Sequence, residues 1–371
     1  MTVDEQNTPP YCSHIRTQHE QLVVDAVVEE DEVKYSMKRT AVVVTATAAL
    51  ALSGCSGNGG GSGASGKSKG GDPGLILAIS GPLSDPFFGA SKTGADAAAE
   101  DLGLNYEYVA GKDFTDIVSV YKKLTEAAIG RKPKAIVIGN YFPDTLSPLI
   151  KKATDQGIAV VVTNSGRDSW RKLGAIGFVG EDPQAMGAAA AKQALKKDAK
   201  RGLCVNQVQG NPTTEARCDG YIKAFKKAGG SAKMLQVSSE DGQNNSKIQQ
   251  VVAGALKSDR SVDHVFTLGA GPAIAAVAAV KQVSKASSIG VGTTDLSKAD
   301  LQAVKDGSLD FVIDQQPFLQ GYYGLLVASQ YLKYGVRPAA EISTGPLVIT
   351  KSNVDRVLEV GDKYPGIRGA S

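Results

Sequence analysis

The stretch L-I-L-A-I-S-G-P-L-S-D-P-F-F, Leu75 to Phe88, governs the reading of the whole chain. Its first five residues are apolar without alternation, the pattern of a strand buried on both faces. Gly81-Pro82 then breaks the run, as a turn requires. The next residues are unusual for a turn: a carboxylate, Asp85, stands beside two adjacent rings, Phe87 and Phe88. Aromatic residues make up only 6% of the chain, so two in one loop carry information.

The same kind of apolar run recurs downstream. Tyr106–Ala110, Ala135–Gly139, Ile158–Asn164, Ile176–Val179, Leu203–Val208, Met234–Val237, His264–Leu268, Ile289–Gly292 and Phe311–Gln315 all read as strands. Between them Ala90–Leu102, Ile117–Ile129, Gln184–Lys196, Thr214–Lys227, Ser246–Leu256 and Ala273–Val283 show helical spacing. Strands alternating with helices of this length imply βαβ units and parallel sheets covered on both faces. A chain of 371 residues is long for one core. The expected fold is α/β, with two doubly wound parallel-sheet lobes.

In open parallel sheets, ligands bind outside the carboxyl ends of the strands. The loops there carry Asp85-Pro86-Phe87-Phe88, Asn140-Tyr141-Phe142, Asn164-Ser165-Gly166, Gln209-Gly210-Asn211, Gly269-Ala270-Gly271, Thr293-Thr294-Asp295 and Gln315-Gln316. Uncharged polar groups, flat aromatics and a few single charges suit a hydroxyl-rich ligand with an apolar face, such as a sugar.

Several function classes are disfavoured. After the N-terminal segment only one histidine remains, His264, at the start of a strand and away from the loops that matter. Ser-His-Asp and Cys-His catalysis then lack a base. No H-E-x-x-H, paired C-x-x-C, Walker loop or G-x-S-x-G elbow is present, so no metal, cofactor or enzymatic activity is expected. Leu268-Gly269-Ala270-Gly271 imitates a dinucleotide loop, but Ile274 stands where the third glycine belongs. The formal charge of +3 is spread without a basic block, and no nucleic acid partner is expected.

The N-terminal residues obey different rules. Residues 1–36 hold eight carboxylates against Arg16 and Lys34 and are read as a disordered acidic extension ahead of the true start at Met37. Met37-Lys38-Arg39 then opens a signal peptide over residues 37–54, whose apolar run Ala41–Leu52 is too short for a membrane span. Leu52-Ser53-Gly54-Cys55 resembles the bacterial lipobox, which implies lipid on Cys55, a membrane anchor and an extracytoplasmic location. Residues 55–73 form a Gly/Ser tether that would hold a domain roughly 25 Å from the membrane by random-coil scaling. Outside the cytoplasm disulfides persist. Cys204 lies in a strand and Cys218 in the helix that runs back along it, so a structural bridge is expected, two buried thiols being the alternative.

With these stretches in view, residues 74–354 resemble the type I periplasmic binding proteins of the ribose- and galactose-binding group, the solute receptors of sugar ABC importers. The resemblance rests on D-P-F-F after the first strand, V-G-E-D-P-Q-A-M-G at Val179–Gly187, E-A-R-C-D-G-Y at Glu215–Tyr221, T-T-D-L-S at Thr293–Ser297 and D-G-S-L-D-F-V-I-D-Q-Q-P at Asp306–Pro317. It implies a monomer that closes on its ligand around a three-strand hinge and then docks on a membrane permease. Lobe 1 would hold residues 74–180 and 317–342, lobe 2 residues 181–316 and 343–360, and residues 361–371 would form a tail.

Carried over by position, Asp85 would bind hydroxyls, and Phe87 and Phe88 would cover the apolar face of a sugar ring. Arg217 would donate to sugar oxygens, Asp295 would accept from paired hydroxyls, and Gln315 would read a hydroxyl at the hinge. Three positions depart from the ribose group: Asn164 replaces Asp, Ser165 replaces Arg and Gly269 replaces Asn. Losing the arginine and one carboxylate removes the strongest charge-assisted contacts of the ribose group, and Trp170, Tyr141 and Phe142 are candidate replacement rings. A nucleoside or a furanosyl signal molecule is the alternative to a sugar.

Overall fold

The computed structural model describes residues 74–238, 240–283 and 289–368. The expected leader, the lipobox with Cys55 and the tether lie outside the described residues. No helix among the described residues is long and apolar enough to cross a membrane.

The first sheet is built from β1 (Ile76–Ile79), β2 (Tyr106–Val109), β3 (Ala135–Ile138), β4 (Ala159–Thr163) and β5 (Gly177–Gly180). Helices α1 (Pro86–Leu102), α2 (Ile117–Gly130) and α3 (Pro143–Asp155) connect the first four. The second sheet repeats the scheme with β6 (Arg201–Asn206), β7 (Ser231–Gln236), β8 (His264–Thr267), β9 (Gly290–Thr294) and β10 (Phe311–Asp314). Its helices are α4 (Pro183–Leu195), α5 (Pro212–Lys227), α6 (Asn245–Ser258), α7 (Ala270–Val283) and α8 (Lys298–Asp306). After β10 the chain returns to the first lobe as α9 (Pro317–Tyr334) and β11 (Ile342–Ser343), then re-enters the second as β12 (Leu347–Ile349) and α10 (Val354–Lys363).

The strand orders are β11-β5-β4-β3-β1-β2 and β12-β10-β9-β8-β6-β7, so the two sheets have one plan. Every pairing is parallel except that of β10 with β12. Three crossings link the sheets: after β5, after β10 and after β11. Strands β1, β3, β5, β8 and β10 are buried throughout, as strands covered on both faces must be, whereas β2 and β7 at the sheet edges are only partly covered. Each sheet is sandwiched between two apolar clusters, one on each face.

Three helices begin earlier than their apolar spacing suggests. Asp85, Asp182 and Asn211 are N-caps whose side chains accept a backbone N–H of the first turn, and a proline follows each at the first helical position. Proline lacks an N–H that would be unsatisfied there in any case, so an Asx-Pro pair starts a helix efficiently. The two short strands β11 and β12 were not expected. Helix α10 continues to Lys363, and Arg368 pairs with the buried Asp314 of β10.

Candidate ligand-binding site

The carboxyl ends of β1, β3, β4 and β5 face those of β6, β8, β9 and β10, and the loops leaving them carry most of the residues singled out from the sequence. The side chains of Asn164, Arg217, Asp295 and Gln315 form one connected polar group. Gln315, just past β10 and 2% exposed, is its centre. Its Oε1 accepts from Asn164 Nδ2 of the first lobe at 3.1 Å and from Arg217 Nη2 of the second at 2.8 Å. Its Nε2 donates to Asp295. Gln315 thus spends most of its hydrogen-bonding capacity on three other site side chains, a positioning role that its hinge location alone did not reveal.

Arg217 sits on the first half of α5. That helix lies close to α4 because Gly187 and Gly220 face each other's helices: a Cβ on Gly187 would fall onto the Arg217 carbonyl, and one on Gly220 onto the Gln184 carbonyl. The Cys204–Cys218 disulfide, with Cα atoms 5.5 Å apart, ties the next residue of α5 to β6. The guanidinium pairs with neither Glu215 nor Asp219, its sequence neighbours. It donates from Nε at 3.0 Å and from Nη2 at 2.8 Å to Oε1 of Glu181, the first residue after β5. Both partners are almost wholly buried, and burial pushes the Glu181 carboxyl above its ordinary range while the arginine pulls it back. Glu181 Oε2 has no partner among the described residues. The sequence contained the signal, V-G-E-D-P, but not the pairing, which spans 36 residues.

Asp295 follows β9 in the left-handed region, at φ 66°. It does not cap the next helix, since Ser297 does that with its own hydroxyl. Burial raises its carboxyl, and Arg217 and Gln315 offset part of the rise. Asn164, at the equivalent place after β4, is also left-handed, at φ 61°. Asp85 caps α1 by accepting from Phe87 N at 2.9 Å. Burial, opposed by that bond and aided by the negative charge of Asp295, pushes its carboxyl up to about 6. Asp85 and Asp295 therefore sense each other from opposite lobes.

The aromatic residues divide into two groups. Phe87 and Phe88 are both half-buried and meet edge to face at 5.1 Å between centroids. Phe88 lies against Gly81 and rests on the first-lobe core, with Tyr141 edge-on behind it at 6.1 Å. Tyr141 is only 7% exposed and packs among Phe88, Tyr121 and core aliphatics, so it backs the cleft ring and offers no face of its own. Trp170 is a clearer correction. Its indole is 4% exposed in the first-lobe core, with the Arg171 guanidinium 4.1 Å from the ring centroid. A large apolar ring close behind β4 gains more from filling the lobe than from facing a wet cleft.

Ser165 is corrected as well. It is wholly buried, and its hydroxyl meets Thr213 of α5 at 2.7 Å. Gly269 is half-exposed, and its carbonyl accepts from Thr293 Oγ1 at 2.9 Å. A Cβ built there would lie 3.2 Å from Gln207 Nε2, so the carboxamide of Gln207 occupies the space beside the missing side chain. His264 is buried at the opposite end of β8, bonded through Nδ1 to Tyr221 at 2.8 Å.

Comparison with known proteins gives a consistent result. The periplasmic binding protein domain matches residues 77–335. A xylose/arabinose-binding protein of Sulfolobus acidocaldarius is 26% identical over 307 residues, which cover 78% of this chain and 74% of that protein. A D-ribose/D-allose-binding protein of Pseudomonas aeruginosa is 29% identical over 264 residues, 69% of this chain and 82% of the relative. Among solved structures, a carbohydrate transporter from Acidothermus cellulolyticus in complex with myo-inositol is 32% identical, with a TM-score of 0.71 and coverage of 79% of this chain and 99% of that one.

Proposed function

The chain belongs to the periplasmic binding proteins, and from that premise we propose that it captures a neutral monosaccharide or cyclic polyol between its lobes and delivers it to an ABC importer permease. It is a binding protein and not an enzyme. The observation that carries the reading is the pairing of Asp85 with Phe87 and Phe88 on one lobe, opposite Asp295 and Arg217 on the other. Carboxylates and a guanidinium fork can take the hydroxyl edge of a ring, and the phenylalanines its C–H face. Asp85, Glu181 and Asp295 outnumber the one arginine, which disfavours an anionic ligand. The names of the relatives, which bind pentoses, hexoses or an inositol, support the same class.

In this proposal Gln315 and Glu181 position Asp295 and Arg217 and do not read the ligand themselves. Anchoring through lipid on Cys55 completes the reading and would keep the receptor beside its permease.

A thermal-shift panel of myo-inositol, D-ribose, D-xylose, D-allose, L-arabinose, D-glucose and adenosine tests it. A ligand at 1,000 times its Kd stabilises the folded state by about 4 kcal/mol. At least one sugar or polyol is expected to raise the melting temperature, with a 1:1 titration by calorimetry. A shift with adenosine alone would replace the sugar by a nucleoside, and no shift with any compound would overturn the proposal.

A further inference from the structure

We propose that Thr213 and Ser165 form a lobe-to-lobe clasp that holds the closed form without ligand, and so set affinity without touching the ligand. The inference rests on the closing motion of the proposed function but not on the ligand's identity. The two hydroxyls lie 2.7 Å apart, both residues are buried, and one belongs to each lobe. Ser165 Oγ donates to the carbonyl of Asn140 at 3.1 Å, which leaves Thr213 as the donor to Ser165. The result is a short relay, Thr213 to Ser165 to Asn140, running from α5 into the end of β3.

Each partner is held before it bonds. The Asn140 N–H donates to the Ser165 carbonyl at 2.8 Å, and the Ser165 N–H donates to the Thr163 carbonyl at 2.7 Å. Thr213 lies in the first turn of α5, its N–H accepted by the Asn211 cap at 2.9 Å. Little side-chain entropy opposes the contact, so most of its energy acts on the equilibrium between lobes. Thr213 also stands four residues before Arg217, on the same face of the helix. Closing the clasp therefore seats the arginine.

The test is amide hydrogen exchange on the ligand-free full chain, comparing wild type with Thr213→Val, Ser165→Ala, the double variant and Thr213→Ser. Loss of one buried hydrogen bond should accelerate exchange about fivefold to tenfold in residues 161–168 and in residues 211–217 alike, whichever lobe carries the change. The double variant should add nothing to either single one, and Thr213→Ser, which keeps the hydroxyl, should behave as wild type. Acceleration confined to the substituted segment would make each hydroxyl a local packing feature and overturn the clasp. Additive effects in the double variant, or no change in either segment, would do the same. Because no ligand is used, failure of the sugar panel and failure of the clasp are separate results.

Discussion

Asp85 is required to do two things with one carboxylate. One oxygen caps α1, which keeps Phe87 and Phe88 in place, and the group as a whole remains half-buried at the cleft. Burial and the opposed Asp295 push its titration up to about 6. For an acid whose folded value is raised, the stabilising contribution is complete below the ordinary value of 3.8 and is lost as pH rises through about 6. Ligand affinity should run the other way, because the ionised form accepts hydroxyl bonds at both oxygens. Calorimetric titration with the best compound of the panel is expected to show several-fold weaker binding at pH 5 than at pH 7. Asp85→Asn should bind more weakly at pH 7, by the roughly 1.5–3 kcal/mol of a charge-assisted bond, and should lose Asp85's share of the pH dependence. An unchanged pH profile in Asp85→Asn would remove Asp85 from the ligand's contacts. Nearby, Asn164 and Asp295 occupy equivalent left-handed positions after β4 and β9, a conformation that Asn and Asp tolerate better than most side chains.

The second lobe's contribution depends on α5. The helix carries Thr213 and Arg217, is pressed against α4 by two facing glycines, and is tied to β6 by the Cys204–Cys218 bridge. Replacing both cysteines with alanine should cost about 3 kcal/mol of stability, the chain-entropy value for a loop of this length, and should also weaken ligand binding. Urea unfolding and titration of the same variant test this. A stability loss with unchanged affinity would show that packing alone positions Arg217. Elements of this kind differ in how visible they are from sequence. The buried strands were legible because parallel strands covered on both faces are continuously apolar. β11 and β12, of two and three residues, have no periodicity to detect and exist only through their pairing with β5 and β10. The loops after the strands located the site, but the partner of Arg217 was hidden because Glu181 becomes its neighbour only after folding. Trp170 misled for a related reason: its distance along the chain from Ser165 does not say to which side of β4 the ring turns.

At the scale of the molecule, two sheets of one plan are joined by three chain crossings, and the chain beyond α10 adds a further tie where Arg368 meets Asp314 beside the second crossing. Every side chain assigned to the ligand, the clasp and the hinge lies between residues 85 and 344. The capture machinery is therefore separate from the N-terminal segment that contains the proposed anchor, and the two functions should be separable by mutation. With Cys55→Ser the expected result is loss of metabolic lipid label and either release from the membrane fraction or accumulation of the unprocessed precursor. The substituted protein should still bind the panel's best compound with the affinity of wild type, since no site residue is altered. Delivery would suffer instead: a receptor freed from the membrane loses the high local concentration that a short tether gives, so uptake by cells should fall while binding in solution persists. Fractionation, lipid labelling, calorimetry and uptake on the same variant distinguish the possibilities. Continued lipid label and membrane retention in Cys55→Ser would eliminate the anchor assignment, and a matching loss of affinity would show that the N-terminal segment takes part in the site after all.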